Sequence, residues 1–147
     1  MKGTDLNGIE LPNLIGTLIF PQLFIANGGN DDLSSSAVAL AQGRTKDAAR
    51  LASNEWQRRH FADVADALAW ALHADGRDAA AMPYARTAGA LGARNAKYAF
   101  HLGMIELALG NAAAARADLG HARDINPNFS PLDGPVLRNA LVRAGAS

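Results

Sequence analysis

The residues of this sequence best suited to chemistry are two aspartates and a histidine in one short segment: Asp63, Asp66 and His73. Asp66 and His73 are seven positions apart, so on a helix they would lie along one stripe, with Asp63 about one turn earlier. Carboxylates and imidazoles in such an arrangement can bind a metal ion. The segment lacks both the histidine pair at i and i+4 and the thiolates that are typical of zinc sites. We therefore expect no metal ion and no cofactor.

Other signatures of catalysis are also missing from the sequence. It contains no glycine-rich phosphate loop and no nucleophile elbow. The serine run that begins at Ser34 has no partner base at a recognisable spacing, and His60, His101 and His121 are scattered along the chain. Such histidines are typical of protein surfaces and helix contacts. We expect a protein that is not an enzyme.

The composition limits the classes of partner. Fourteen basic residues balance fourteen acidic ones and the isoelectric point is near 6.9, so the chain lacks the positive field of proteins that bind nucleic acids or anionic membranes. The sequence has no cysteine, which excludes disulfides and thiolate metal sites. A hydrophobic content of 49%, much of it alanine, indicates a folded chain whose helices must approach closely.

Three glycines define the architecture that would position these residues. Gly43 precedes Gly76 by 33 residues, and Gly76 precedes Gly110 by 34. Each glycine separates two segments whose apolar residues have helical spacing, so it would lie in a tight turn between two helices. Only glycine adopts the left-handed backbone of a turn of this kind at low cost. A repeat of this length is typical of a solenoid of helical hairpins. The predicted hairpins cover residues 29–61, 62–95 and 96–129.

The helices of the first hairpin are predicted from residue 34 to 42 and from residue 45 to 56. Val38 and Ala41 would share the buried face of the first helix. The buried face of the second is predicted to contain Ala48, Ala49, Ala52 and Trp56.

The two ends of the chain differ in character. Residues 1–28 form an apolar segment that Pro12 and Pro21 interrupt, so it suits neither a signal peptide nor a membrane span. We interpret it as a remnant of a preceding hairpin and favour a soluble, cytoplasmic protein. Residues 131–147 are predicted to form a capping helix and tail, with Asp133 or Gly134 as N-cap. The apolar stripe of this helix would contain Leu137, Ala140, Leu141 and Ala144.

The second and third hairpins resemble tetratricopeptide repeats (TPRs). Matching positions in the second hairpin are Leu68, Ala69, Leu72, Gly76, Ala81, Ala85 and Ala88. Those in the third are Leu102, Gly103, Gly110, Ala115, Leu119, Ala122 and Pro127. Glu106 departs from the pattern, because a bulky packing residue is usual there. The chain is similar to the C-terminal segment of longer bacterial TPR scaffold proteins, which implies an all-α fold: a right-handed α-solenoid of helical hairpins with a C-terminal capping helix.

The resemblance also implies a binding surface, because the first helices of such repeats line the concave face. The residues that would lie there are Asp63, Asp66, Trp70, His73, Lys97, Phe100 and Met104. Aromatic and methionine side chains would anchor a peptide or protein partner, and the aspartates would select a basic residue of it. The simpler interpretation is that Trp70 and Phe100 pack between hairpins, as large aromatics at helical spacing usually do. That interpretation does not account for the aspartates.

Two functions follow from this sequence. The leading hypothesis is a protein–protein interaction scaffold whose concave face binds a protein or peptide. The alternative is a structural module that self-associates through its apolar N-terminal segment. The side chains involved would be Leu14, Leu18, Leu23 and Phe24.

Overall fold

The computed structural model describes residues 31–145 of the chain. The N-terminal segment 1–28, and with it the predicted self-association residues Leu14, Leu18, Leu23 and Phe24, lies outside the described residues. In the described part the secondary structure is seven helices and no strand, which confirms the all-α prediction. The helices are α1 (Asp32–Ala41), α2 (Thr45–Arg58), α3 (Ala62–Ala74), α4 (Asp78–Leu91), α5 (Ala96–Ala108), α6 (Ala112–Ile125) and α7 (Asp133–Arg143).

The helices pack as successive hairpins. Consecutive helices from α2 to α7 contact one another, and α3 also contacts α5, which in turn contacts α7. In the first hairpin the Ser36 hydroxyl donates a hydrogen bond of 2.8 Å to the Ala48 carbonyl, which joins α1 to α2. Each hairpin thus packs its two helices together and contacts the next hairpin along the chain, as in a repeat stack.

Glycine ends the first helix of every hairpin. Gly43, Gly76 and Gly110 have φ angles of 75°, 77° and 84°, a region that other residues adopt only at a cost. At each turn the amide after the glycine donates to the carbonyl five residues earlier, at 2.8 or 2.9 Å. This is the Schellman pattern of a helix C-terminus. The prediction that these glycines mark tight reversals between helices is confirmed.

Small residues allow the helices to approach closely. Ala52, Ala69 and Ala81 are completely buried. A Cβ atom added at Gly103 would lie only 2.6 Å from Leu119 Cγ. The close approach of α5 and α6 at this point therefore requires a residue without a side chain. The core is therefore dense without many large side chains.

Two details differ from the sequence-based expectations. Val38 and Ala41 are exposed, and α1 instead buries Ser36 and Ala39. The predicted face was wrong because Ser36 pairs with the backbone of α2, which a pattern of apolar residues alone does not indicate. At the C-terminus, α7 begins at Asp133 itself, so neither Asp133 nor Gly134 is the N-cap; Leu132 precedes the helix without a side-chain cap.

The predicted stripe of α7 is confirmed. Its four side chains, Leu137, Ala140, Leu141 and Ala144, are buried. Two valines of the same helix, Val136 and Val142, remain exposed, so the outer face of α7 is less polar than that of a fully solvated cap.

Candidate functional site

A buried hydrogen bond joins α3 and α5, the first helices of the second and third hairpins. Asp66 of α3 is 3% exposed, and its Oδ1 atom lies 2.7 Å from His101 Nδ1 of α5. A carboxylate can only accept, so the imidazole N–H donates this hydrogen bond. Lys97, one turn before His101, places its Nζ atom 3.6 Å from Asp66 Oδ2. Asp66 therefore already contacts two side chains of the next hairpin, Lys97 and His101.

The N-cap of α5 determines the position of Lys97. Asn95 is the N-cap residue, and its side-chain oxygen accepts from the Lys97 amide at 3.0 Å and the Tyr98 amide at 3.3 Å. This cap satisfies amides that the first turn leaves unpaired. It also fixes the register in which Lys97 and His101 face α3.

An aromatic cluster lies against the same pair. The rings of Trp70 and His101 stack with centroids 3.8 Å apart and an interplanar angle of 13°. Phe100 is 1% exposed and contacts both Trp70 and Phe129 in the core. Met104 is half-buried against this cluster. Phe100 is thus a packing residue, and Trp70 is only partly accessible.

The other two predicted site residues have separate environments. His73 pairs through Nδ1 with Asp78, the first residue of α4, so it joins the two helices of its own hairpin. Asp63 is exposed, and its Oδ1 atom accepts from the Val64 amide at 3.0 Å. Asp63 is the carboxylate of the set most available to a partner.

A groove lies between the first helices of the three hairpins. Its volume is about 290 Å³. The groove is lined by Leu33, Ser36, Ala37 and Leu40 of α1, Asp63, Asp66 and Ala67 of α3, and Lys97 of α5. We call it the first-helix groove. It brings together three of the predicted residues, whereas Trp70, His73, Phe100 and Met104 do not line it.

Two features of this region were not predicted from the sequence: the apolar stripe of α1 and the partner of His101. Leu33, Ala37 and Leu40 have the i, i+4, i+7 spacing of an apolar helix stripe, a signal that was present but was assigned to Val38 and Ala41 instead. His101 lies one turn after Lys97, so these two residues share a helix face. The hydrogen bond of His101 with Asp66, which is 35 residues away, cannot be recognised from the sequence around either residue.

Two acidic side chains, Glu106 and Asp118, lie together between α5 and α6. Glu106 is 5% exposed, and within residues 31–145 its Oε2 atom makes no hydrogen bond. Burial, a hydrogen bond with Asp118 and the negative charge of Asp118 raise the pKa of Glu106 to about 7, while Arg86 acts in the opposite direction. This is the position at which the sequence departs from the TPR pattern, and the carboxyl is accommodated there by becoming neutral more readily.

Residues 31–145 contain no group of three or more side chains that could hold a metal ion. No helix among the described residues is long and apolar enough to cross a bilayer.

Comparison with known proteins rests on structure alone. No protein-family model matches the sequence, and no curated protein matches it either. The structure of the Yersinia enterocolitica type III secretion chaperone SycD in complex with a peptide of the translocator YopD matches with a TM-score of 0.66 and 16% identity, over 81% of this chain and 96% of that one.

The first TPR domain of human RPAP3 matches with a TM-score of 0.64 and 17% identity, over 77% of this chain and 91% of that domain. This chain has a TPR-like fold. The TPR-like chain also matches PcrH in complex with the chaperone binding region of PopD, with a TM-score of 0.60 and 17% identity, over 83% of this chain and 92% of that one. These neighbours of the TPR-like chain are chaperones and a TPR domain, not enzymes.

Proposed function

We propose that this chain is a scaffold that binds an extended or helical peptide segment of a partner protein in the first-helix groove. The observation that carries the proposal is the groove itself, about 290 Å³ in volume, in which apolar side chains of α1 and α3 lie beside charged groups. Grooves of this kind, with an apolar floor and few polar groups, are the usual sites of peptide recognition.

Each part of the groove has a separate role. Leu33, Leu40 and Ala67 would contact an apolar side chain of the peptide, whose burial supplies most of the affinity. Asp63 is exposed and would pair with a basic residue of the partner. Lys97 is held beside Asp66 and would meet a peptide carbonyl or carboxylate.

The buried network behind the groove acts as a positioning device. Asp66, His101 and Trp70 connect α3 to α5 through a hydrogen bond of 2.7 Å and a stacked ring pair. Because these groups already have their partners, they keep the spacing of the two helices before a peptide arrives. A preformed groove loses less entropy on binding.

The resemblance to peptide-bound chaperones supports a peptide partner. SycD is described in complex with a peptide of YopD, and PcrH with the chaperone binding region of PopD. The environment of the aspartate–histidine pairs at α3 supports binding rather than catalysis as the role. His101 is buried beneath Trp70, and His73 is bound to Asp78, so both pairs contribute to helix packing.

The test uses peptides selected from a displayed library against the chain, with affinities measured by isothermal titration calorimetry. Ala37→Arg fills the groove and Asp63→Lys reverses its exposed charge; both positions are exposed, so folding should be retained. Each change should weaken binding about tenfold or more, because one apolar anchor or ion pair of this kind contributes about 1–3 kcal/mol.

Matched controls lie on α6, away from the groove. Ala113→Arg and Asp124→Lys make the same chemical changes at exposed positions. They should alter the affinity by less than about twofold, since isolated surface substitutions have small effects. Peptides that bind the groove variants as tightly as the unmodified chain would refute the proposal.

A further inference from the structure

A larger cleft lies between the second helices α2 and α4, with α3 as its floor. Its volume is about 720 Å³, and it shares no lining residue with the first-helix groove. We call it the second-helix cleft and define it by Lys46, Arg50, Leu68, Leu72, Arg77 and Ala80. Neither the sequence patterns nor the proposed function accounts for it.

The floor of this cleft is apolar. Leu68 and Leu72 are 2% and 7% exposed, and they are reached between α2 and α4 because Ala49 and Ala80, on the facing helices, carry only methyl groups. Tyr84 of α4 lines the same cleft. One aliphatic side chain of a ligand would therefore find a hydrophobic seat there.

The rim of the cleft is basic. Lys46 and Arg50 are one turn apart on α2, and Arg77 immediately precedes α4. No acidic residue lines the cleft, but Arg50 Nη2 lies 3.6 Å from Oδ1 of Asp47, which is not a lining residue. The side chains of Lys46, Arg50 and Arg77 are 89%, 60% and 52% exposed. This charge is opposite to that of Asp63 in the first-helix groove, so the two surfaces suit different partners.

Asp75 holds two of these cations at the edge of the cleft. Its carboxylate lies 3.0 Å from Arg77 Nε and 3.7 Å from Lys46 Nζ. The hydroxyl of Thr45 donates to it at 2.8 Å, and this hydrogen bond, aided by the charges of Lys46 and Arg77, keeps the pKa of Asp75 below its usual value despite some burial. The cations are thus positioned, yet retain exposed hydrogen-bond donors.

We propose that the second-helix cleft binds an acidic segment of a partner protein. An aliphatic side chain of that segment contacts Leu68 and Leu72, and flanking carboxylates pair with Lys46, Arg50 and Arg77. The complementarity of charge selects an acidic ligand. A nucleic acid is the less suitable ligand, because the chain as a whole carries no net positive charge.

The probe is a short fluorescein-labelled peptide of glutamates with two leucines, and binding is followed by fluorescence anisotropy. The test variant is Lys46→Glu with Arg50→Glu, at two exposed positions. It should bind the peptide at least about tenfold more weakly, because two charge-assisted contacts become repulsive. The control is Arg138→Glu with Arg143→Glu on α7, which alters the net charge equally and should change affinity by less than about twofold.

A second variant leaves the charge unchanged. Ala80→Tyr places a ring in the cleft from an exposed position, whereas Ala113→Tyr places one on α6. Only Ala80→Tyr should weaken binding, by about tenfold, and circular dichroism should be the same for all variants.

Three outcomes would overturn the proposal. They are equal binding by Lys46→Glu/Arg50→Glu and its control, equal binding of a peptide in which lysine replaces every glutamate, and tighter binding of a labelled oligonucleotide than of the acidic peptide. Because Asp63→Lys leaves this cleft intact, loss of the first-helix groove can be distinguished from loss of the second-helix cleft.

Discussion

The raised pKa of Glu106 makes the stability of the chain depend on pH. The folded-state pKa of this carboxyl is about 7, against 4.5 for an ordinary glutamate, so the folded chain holds a proton that the unfolded chain releases. This contribution to stability is complete below about pH 4.5 and is lost as the pH rises through about 7. One pKa unit is about 1.4 kcal/mol, so the loss is at most about 3 kcal/mol, and we expect about 1–3 kcal/mol.

The assay is urea unfolding at about pH 5 and about pH 8, followed by circular dichroism. Glu106→Gln keeps the shape of the side chain but cannot ionise, so it should be more stable than the unmodified chain at the higher pH by about 1–3 kcal/mol. At the lower pH the two should be nearly equal. The histidines are the same in both proteins, so they do not contribute to the difference in stability between Glu106→Gln and the unmodified chain. The lowered pKa of Asp75 affects stability only below the two pH values of the assay.

Two further variants separate the causes of the shift. Asp118→Asn removes the hydrogen-bonded neighbour but leaves the burial, which is the largest cause, so it should reduce the pH dependence without abolishing it. Asp124→Asn removes an exposed carboxylate and should leave the dependence unchanged. If Glu106→Gln loses as much stability between the two pH values as the unmodified chain, the reasoning is refuted.

Three other predictions concern packing and assembly. Gly103→Ala should cost about 1–3 kcal/mol, because its Cβ would lie 2.6 Å from a leucine of α6, whereas Gly120→Ala, with no atom closer than 3.9 Å, should be neutral or stabilising in the same denaturation assay. Leu102→Ala should cost about 2 kcal/mol, since this side chain is half-buried against the core; a loss below about 0.5 kcal/mol would place it outside the helix interface. If the chain self-associates through its N-terminal segment, Leu18→Asp with Phe24→Asp should convert an oligomer to a monomer in light scattering, and an unchanged mass would exclude that route.

The candidate site was only partly predictable from the sequence. The set expected on the concave face contained Asp63, Asp66 and Lys97, which line the first-helix groove together. It also contained Phe100, which is buried, and His73, which pairs within its own hairpin. A helix stripe spans several side chains, and which of them faces a neighbour depends on the rotation of each helix in the stack.

The helical hairpins and their turns are a local property of the sequence. Gly43, Gly76 and Gly110 interrupt helical segments at spacings of 33 and 34 residues, and glycine adopts the left-handed backbone of these turns at low cost. The abundance of alanine likewise predicted a core of closely packed helices.

Only the tertiary structure decided which distant groups meet. The hydrogen bond between Asp66 and His101, the raised pKa of Glu106 beside Asp118, and the basic rim above Leu68 all depend on distances between helices. Burial and electrostatic coupling change steeply over a few ångströms, whereas the sequence pattern specifies helix faces only to within about a residue. The helical repeat can therefore be predicted from the order of the residues, whereas the contacts and pKa values of its polar side chains depend on how the hairpins pack.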